Sequence, residues 1–296
     1  MRVLVTGSGG MLGREVCTAL LRRGYEVVPA GLRRGEVLQD LAEIEGTVRM
    51  VQAAQPDVVI HCAAYTDVDG AEEDPATAFR VNATGTWNLA IACCRKDVPL
   101  CAISTDFVFD GLKPDPYTEW DEPRPINVYG ASKLAAERAI REVWPKHWIV
   151  RTAWLYGVHG RCFPEAVLAA AEREHTLNVV ADQTGSPTYA GDLAAALAAL
   201  ISTPYFGTYH IANSGRATRY EFAKAILQMA HGASAAVHPI VSSDRPSPAR
   251  RPRNSALASA REEVPGYGPM RPWPQALAEY IRERAHSKNG EDPRCC

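Results

Sequence analysis

Short apolar runs alternate with longer segments of helical periodicity over the first hundred residues of the chain. The short runs, which are typical of buried strands, lie at 2–6, 25–30, 57–61 and 99–105. Apolar residues at helical spacing predict helices at 11–23, 43–54 and 74–95. Such repeats with nearly continuous apolar strands predict a parallel sheet covered on both faces. Since the crossovers are right-handed, we expect an α/β fold with a doubly wound sheet.

Proline divides the chain into two unlike parts. Four of the 21 prolines precede residue 110, and eight lie between Pro239 and Pro274. Because proline interrupts regular hydrogen bonding, we expect the second half to be looped and irregular. The last ten residues, SKNGEDPRCC, are expected to form a loose tail over 287–296.

The composition bears on the class of partner. The 32 Lys and Arg residues nearly balance the 34 Asp and Glu residues, which gives a net charge of −2. Nucleic-acid-binding proteins and polybasic membrane anchors carry a basic surface instead. The longest apolar run, 193–201, has about half the length of a membrane-spanning helix, and the N-terminus reaches glycine too early for a signal peptide. We expect no nucleic-acid or membrane partner.

The eight cysteines show no CxxC spacing, and five lie in segments predicted as buried strand or helix. Free cysteine in such segments behaves as a small apolar residue. We therefore expect neither a metal site nor a disulfide framework, and we expect a reducing cytoplasm as the location.

A glycine-rich turn follows the first strand. TGSGGMLG places Gly7, Gly10 and Gly13 between a strand and a helix. The first glycine allows a tight turn, the second lets the backbone approach a pyrophosphate, and the third lets helix and strand pack closely. The pattern predicts a dinucleotide site of the Rossmann type at the positive end of the helix. The alternative is a tight turn that binds no ligand.

The end of the second strand indicates which nicotinamide cofactor is bound. An acidic residue there would bind the ribose 2′-hydroxyl of NAD, but PAGLRR (29–34) lacks one and carries Arg33 and Arg34. Because a guanidinium matches a 2′-phosphate, NADPH is favoured and NADH is the weaker option. The alternative is that both arginines are merely solvated. Asp40 and Leu41, after a short third strand, are candidates to flank the adenine.

Three residues near strand and helix ends carry the candidate chemistry. Thr105 ends a predicted strand, and Tyr129 and Lys133 lie four apart on one face of a predicted helix. A lysine cation is expected to lower the pKa of the phenol from about 10, which makes proton donation practical. Thr105 could donate a second hydrogen bond to a substrate carbonyl. His61 is interpreted as a packed residue.

General and specific motifs occur together in this chain. The general ones are TGxxGxxG, a strand-end Ser-Thr and YxxxK, and the specific ones are STDFVFDG (104–111) and DQTGSPT (182–188). The set resembles the extended short-chain dehydrogenase/reductases, and within them the dTDP-4-dehydrorhamnose reductase family, over about residues 1–285. The resemblance implies NAD(P)H-dependent reduction of the C4 ketone of dTDP-4-dehydro-6-deoxy-L-mannose to dTDP-L-rhamnose.

The resemblance also implies a role for each matched position. The cofactor would contact Gly10, Met11 and Leu12 beside Gly7, Asp40 and Leu41 at the adenine, and Ala63, Ala64 and Tyr65 in its central portion. Tyr129 would donate the proton and Lys133 would hold the nicotinamide ribose. The sugar would face Thr105, Asp106 and Trp154, and the dTDP would meet Gln183 and Arg251.

Four positions depart from the family pattern. Phe107 replaces a usual tyrosine, Ala153 a common serine, and Ala30–Gly31 an acidic residue after the second strand. Cys162 replaces an asparagine, which bears on contacts to the nucleotide sugar. None of these changes removes the candidate catalytic residues.

The resemblance implies an NADP(H)-binding domain over 1–160 and a smaller α/β sugar-nucleotide lobe over 161–286, with some exchange of strands and helices. It leaves a homodimer open. Two other functions remain: a 4-ketoreductase of another nucleotide-linked deoxysugar, and a non-catalytic NADP-binding regulatory subunit like the methionine adenosyltransferase beta subunit. GLRRGEVLQDL (31–41) fits the regulatory subunit, whereas AAYTDVDGAE (63–72) and DQTGSPT resemble the reductase more closely.

Overall fold

Thirteen strands and ten helices occur in the computed structural model, which describes residues 1–31, 37–230, 235–261 and 268–288. The strands are β1 (Arg2–Thr6), β2 (Glu26–Gly31), β3 (Val37–Leu38), β4 (Val58–His61), β5 (Leu100–Thr105), β6 (His147–Thr152), β7 (Leu155–Tyr156), β8 (Thr176–Val180), β9 (Thr184–Gly185), β10 (Thr188–Tyr189), β11 (Gly207–His210), β12 (Ala217–Thr218) and β13 (Ala236–Ile240). Arg33 and Arg34 lie outside the described residues.

The helices alternate with the strands over the first half of the chain. They are α1 (Met11–Arg22), α2 (Ile44–Ala54), α3 (Val68–Glu73), α4 (Pro75–Phe79), α5 (Gly85–Lys96), α6 (Val128–Val143), α7 (Phe163–Ala171), α8 (Ala190–Leu200), α9 (Arg219–Met229) and α10 (Trp273–Lys288). Within the described part of the chain, none of them is long and apolar enough to cross a membrane.

Seven parallel strands of the described residues form the central sheet, in the order β11–β6–β5–β4–β1–β2–β3. The order from β3 to β6 is that of dinucleotide-binding sheets, so the predicted doubly wound Rossmann-type fold is confirmed. Helices α1 and α8 bury their apolar residues on one face of the sheet. Helices α2 and α5 do so on the other face. The predicted strands in the first half agree with β1, β2, β4 and β5 to within one residue.

The helix predicted at 74–95 is interrupted in its middle. A π-helical turn, Arg80–Thr84, lies between α4 and α5. The buried Asn82 side chain accepts a hydrogen bond from the Tyr65 amide and donates to the Tyr65 carbonyl and to the hydroxyl of Ser132. These bonds tie the loop after β4 to α6 at the π turn. Such turns are frequent at functional sites.

The second half of the chain contributes to two cores. Residues of α8 and β11 belong to the core of the central sheet. Helices α7, α9 and α10 pack with the β8–β13 pair around a separate core. The expectation of an irregular second half is therefore wrong for these elements, and it holds for most of 241–261.

Close approach of α1 to β1 depends on Gly13, and this dependence is testable. A Cβ at Gly13 would lie 2.1 Å from the carbonyl oxygen of Gly7, whereas a Cβ at Gly24 would meet nothing. Gly24 has a φ of +72°, so Gly24→Ala is expected to cost about 1 kcal/mol of unfolding free energy through backbone strain alone. Gly13→Ala must displace the helix and is expected to cost about 3 kcal/mol. Urea unfolding followed by circular dichroism measures both, and equal losses would contradict the steric argument.

Candidate active site

The carboxyl ends of β1, β4, β5 and β6 open onto one cleft of about 1170 Å³. Most of the predicted site residues line it, namely Gly7, Gly10, Met11, Leu12, Ala64, Thr105, Asp106, Tyr129, Lys133 and Trp154. Ligands of doubly wound sheets bind at this edge, because the strand order reverses there. The cleft is therefore the candidate active site.

The glycine-rich turn forms one end of the cleft. Gly7 has a φ of +69°, and a Cβ there would lie 2.6 Å from the backbone nitrogen of Ala63. The Gly10 amide donates to the Gly7 carbonyl at 3.0 Å, and α1 begins at the next residue. Because the first amides of a helix have no acceptor within it, they can bind an anion. The turn fits the diphosphate of a dinucleotide.

Tyr129 and Lys133 face the cleft from the first turns of α6. Asn127 caps this helix, and its Oδ1 accepts a hydrogen bond from the Gly130 amide at 2.7 Å. A Cβ at Gly130 would lie 2.0 Å from the Phe107 carbonyl oxygen, so glycine lets α6 lie against the turn that follows β5. Thr105, at the end of β5, lines the same cleft. The structure thus brings the three predicted catalytic residues together.

Burial governs the pKa values of these groups. It raises the pKa of Tyr129 to about 12, while a hydrogen bond with Thr105 opposes the rise and the charge of Asp106 adds to it. The pKa of Tyr129 is therefore raised, whereas the sequence predicts a lowered value, and burial of the phenol is the reason for the difference. Burial also lowers the pKa of Lys133 to about 8, against the attraction of Glu137. Both groups are driven toward their neutral forms.

A buried ion pair lies beneath Lys133. Glu137 accepts hydrogen bonds from Arg151 at 2.9 and 2.7 Å, and from Ser104 Oγ at 2.5 Å. The side chains of Glu137 and Arg151 are each 2% exposed. Sequence analysis missed this pair. The glutamate lies one helical turn after Lys133, which is the available clue to its position.

Asp106 is a buried carboxylate at the floor of the cleft. Its Oδ1 accepts a hydrogen bond from Thr105 at 3.0 Å. Among the described residues its Oδ2 has no partner. Burial raises the pKa of Asp106 to about 6, while hydrogen bonds with Ser255 and Thr105 and the charge of Arg219 hold it down. The carboxylate is therefore available to a ligand.

Trp154 forms the far wall of the cleft with a strained backbone. Its φ is +46°, which a residue with a side chain rarely adopts. A Cβ on Gly185 would lie 2.2 Å from the Trp154 ring, so the glycine of DQTGSPT makes room for the indole. The guanidinium of Arg219 lies 3.6 Å from the centre of the ring. Sequence analysis missed Arg219, which looks like an ordinary helix arginine.

Several predicted site residues lie apart from the cleft lining. Asp40 forms an ion pair with Arg80 at 2.8 Å, and Leu41 packs against Gly85. The backbone of Ala63 lies against Gly7 of the glycine turn, and the backbone of Tyr65 is hydrogen-bonded to the Asn82 side chain. Gln183 donates to Ser242, and Arg251 pairs with Asp69. Their roles, and those of Arg33 and Arg34 outside the described residues, stay predictions.

Three further positions that the sequence singled out, His61, Phe107 and Cys162, have local packing or hydrogen-bonding environments in the structure. His61 is buried, with its ring nitrogens bonded to Thr6 and Thr86, and burial lowers its pKa to about 3. Phe107 lies edge-on to the Tyr129 ring at 6.0 Å. Cys162 precedes α7 without capping it through its side chain. The interpretation of His61 as a packed residue is confirmed.

A doubly wound parallel sheet, a glycine turn after β1 and a Tyr–Lys pair facing it define a nicotinamide-dependent reductase of the short-chain dehydrogenase/reductase class. Residues 1–286 match the family described as the RmlD substrate binding domain. The dTDP-4-dehydrorhamnose reductase of Mycobacterium tuberculosis (strain ATCC 25618 / H37Rv) is 40% identical over 292 residues, covering 97% of this chain and 94% of the relative. That of Streptomyces griseus is 42% identical, covering 94% and 92%.

The fold comparison agrees with the sequence comparison. The crystal structure of dTDP-4-dehydrorhamnose reductase from Bacillus anthracis in complex with NADP superposes with a TM-score of 0.91 at 37% identity. The match covers 95% of this chain and 99% of that one. The chain belongs to the RmlD substrate binding domain family, whose relatives named here are dTDP-4-dehydrorhamnose reductases.

Because the pKa of Asp106 is raised, replacing this carboxylate by a neutral side chain is expected to increase the free energy of unfolding at neutral pH but not at acidic pH. Since its folded-state pKa is about 6 against an ordinary 3.8, the free energy of unfolding falls as pH rises through this window. Asp106→Asn removes the ionised group and is expected to stabilise the chain by up to about 3 kcal/mol at pH 7.5, with little effect near pH 4. Urea unfolding at both pH values measures the difference.

The exposed Asp115 provides the matched control for Asp106, because Asp115→Asn makes the same charge change at the surface. Arg219 and Tyr129 face Asp106 and are unchanged in both variants. An Asp106→Asn variant less stable than the parent at pH 7.5 would show that the buried carboxylate stabilises the fold.

Proposed function

We propose that this chain uses NADPH to reduce the C4 ketone of dTDP-4-dehydro-6-deoxy-L-mannose to dTDP-L-rhamnose. One observation carries the proposal: Thr105, Tyr129 and Lys133 line the same cleft as the glycine-rich turn. Family membership supports the identity of the substrate. A cytoplasmic location belongs to the proposal, because all six described cysteines are free thiols.

The nicotinamide cofactor supplies a hydride when it is bound. Gly7, Gly10, Met11 and Leu12 would hold its diphosphate, Ala63, Ala64 and Tyr65 its central portion, and Lys133 the nicotinamide ribose. The adenosine would lie near Asp40 and Leu41, with its 2′-phosphate at Arg33 and Arg34. The absence of an acidic residue at the end of β2, EVVPAG, supports NADPH over NADH.

The proton would come from Tyr129. With a pKa of about 12, its phenol is protonated at neutral pH and can donate to the oxygen formed from the ketone. The Thr105 hydroxyl, which here donates to Asp106 Oδ1, would turn to donate to the same oxygen and so polarise the carbonyl. Lys133 would place a positive charge beside the phenol as it loses its proton, and the Glu137 carboxylate favours the charged form of Lys133.

Recognition of the sugar nucleotide would fall to the opposite wall of the cleft. Asp106 and Trp154 would bind the sugar, and Gln183 and Arg251 would contribute to the dTDP site within the lobe over 161–286. Cys162 in place of the family asparagine favours one second candidate, a 4-ketoreductase acting on another nucleotide-linked deoxysugar. Because the chain has the candidate proton donor Tyr129, both reductase candidates are favoured over a non-catalytic regulatory subunit.

Removal of the Tyr129 hydroxyl tests the proposed proton donor. Tyr129→Phe is expected to lower ketone-dependent NADPH oxidation by about 10²–10⁴-fold, because the alkoxide is then formed without an acid. NADPH binding, measured by fluorescence titration, should survive. Tyr205→Phe, on a side chain that is 45% exposed, is the matched control. Undiminished turnover by Tyr129→Phe would end this assignment.

A coupled assay tests the substrate and the cofactor together. dTDP-glucose is converted to the ketosugar by the two preceding enzymes, and oxidation of NADPH or NADH is followed at 340 nm. We expect dTDP-L-rhamnose as the product, with a higher kcat/KM for NADPH. UDP- and GDP-linked ketosugars form the comparison panel. Preference for one of them would replace the dTDP-rhamnose assignment by the second candidate.

A further inference from the structure

Arg219 presents a guanidinium to the cleft between two aromatic rings. Its Cζ lies 3.6 Å from the centre of the Trp154 ring and 4.9 Å from that of Phe163. Cation–π contact uses the face of the guanidinium, whereas hydrogen bonds to an anion use its N–H edge. The rings therefore orient the group without engaging its donors.

The side-chain donors of Arg219 are free for a ligand. Within the described ranges, its guanidinium makes no hydrogen bond and no ion pair. Asp106 is close enough to raise its pKa and Arg251 close enough to lower it, while burial lowers it most, to about 10. A guanidinium with such a pKa stays charged at neutral pH. A partly buried cation of this kind is stabilised by an anion that binds beside it.

The other arginines near the site are either paired or exposed. Arg251 binds both oxygens of Asp69, at 3.0 and 2.7 Å. Arg151 is paired with Glu137, and Arg14 donates to the Gly9 carbonyl at the glycine turn. Arg161 lines the cleft but is exposed to solvent, which screens its charge. Arg219 thus combines partial burial, an orientation held by two aromatic rings and, among the described residues, donors that are not engaged.

We propose that Arg219 binds a phosphoryl oxygen of the diphosphate that joins the sugar to the nucleoside. The inference rests on the proposed function, since it takes a nucleotide sugar as the substrate. The guanidinium fork matches phosphoryl oxygens, and Asp106 on the same side of the cleft would then meet the hydroxyl groups of the sugar. A neutral sugar alone offers no negative charge to pair with this partly buried cation.

Two variants separate charge from packing at this position. Arg219→Met keeps a long unbranched chain against Trp154 and Phe163 but removes the charge. Arg219→Lys keeps the charge but loses the planar fork. Arg216→Met removes an exposed arginine three residues earlier and is the matched control, since among the described residues Arg216 bonds only the Pro114 carbonyl.

Calorimetric titration with dTDP and with uncharged thymidine measures the effect. Arg219→Met should weaken dTDP binding by about 10–100-fold, because a hydrogen-bonded charge pair is lost, and leave thymidine and NADPH binding unchanged. Arg219→Lys should retain part of the affinity, and Arg216→Met all of it. In turnover assays, Arg219→Met should raise KM far more than it lowers kcat.

Two results would overturn the inference. The first is unchanged dTDP affinity in Arg219→Met, and the second is an equal loss of thymidine and dTDP affinity, which would indicate that Arg219 only shapes the wall. Failure of the proposed function is distinguishable, because UDP and GDP are titrated in parallel. If the parent binds one of these instead of dTDP, the substrate assignment fails, and a selective loss of that diphosphate in Arg219→Met still supports the inference. A parent that binds no nucleoside diphosphate overturns it.

Discussion

The buried ion pair between Glu137 and Arg151 is the interaction on which the geometry of the cleft depends. It joins α6, which carries Tyr129 and Lys133, to β6 in the central sheet, and Ser104 of β5 donates to the same carboxylate. Loss of either partner would leave an unpaired buried charge, which commonly costs several kcal/mol. The pair therefore fixes the rotation of α6 about its axis, and with it the direction in which the proton donor faces.

The charged groups in the cleft, unlike Glu137 and Arg151, are not fully paired with opposite charges. Asp106, Lys133 and Arg219 are each shifted by burial toward the neutral form, so each opposes folding when it is charged. Among the residues that the structure describes, Asp106 Oδ2 and Thr152 Oγ1 have no hydrogen-bond partner, and both residues line this cleft. Buried groups of this kind are tolerated where a ligand completes their interactions. The contrast between the two regions locates the site independently of any motif.

Local spacing made part of this arrangement predictable. The glycine turn and the Tyr129–Lys133 pair depend on residues a few positions apart, and so do the strands of the first half. The pKa of Tyr129 was not predictable in this way, because it depends on the depth of burial. Arg219, at the start of α9, approaches Trp154 only through the tertiary fold. The π turn after α4 is accompanied by hydrogen bonds from Asn82 to the loop after β4 and to Ser132 of α6, which are remote in sequence.

The most specific sequence motif acquires a structural explanation in the wall of the cleft. Gly185 of DQTGSPT leaves space for the Trp154 ring, and the Gln183 carbonyl accepts the backbone amide of Arg219 at 3.2 Å. Gln183 thus helps to position a neighbouring cation through its backbone, whatever its side chain does. Because Gln183 and Gly185 lie apart from α6, which carries Tyr129, substitutions in the motif can reshape this wall without displacing Tyr129.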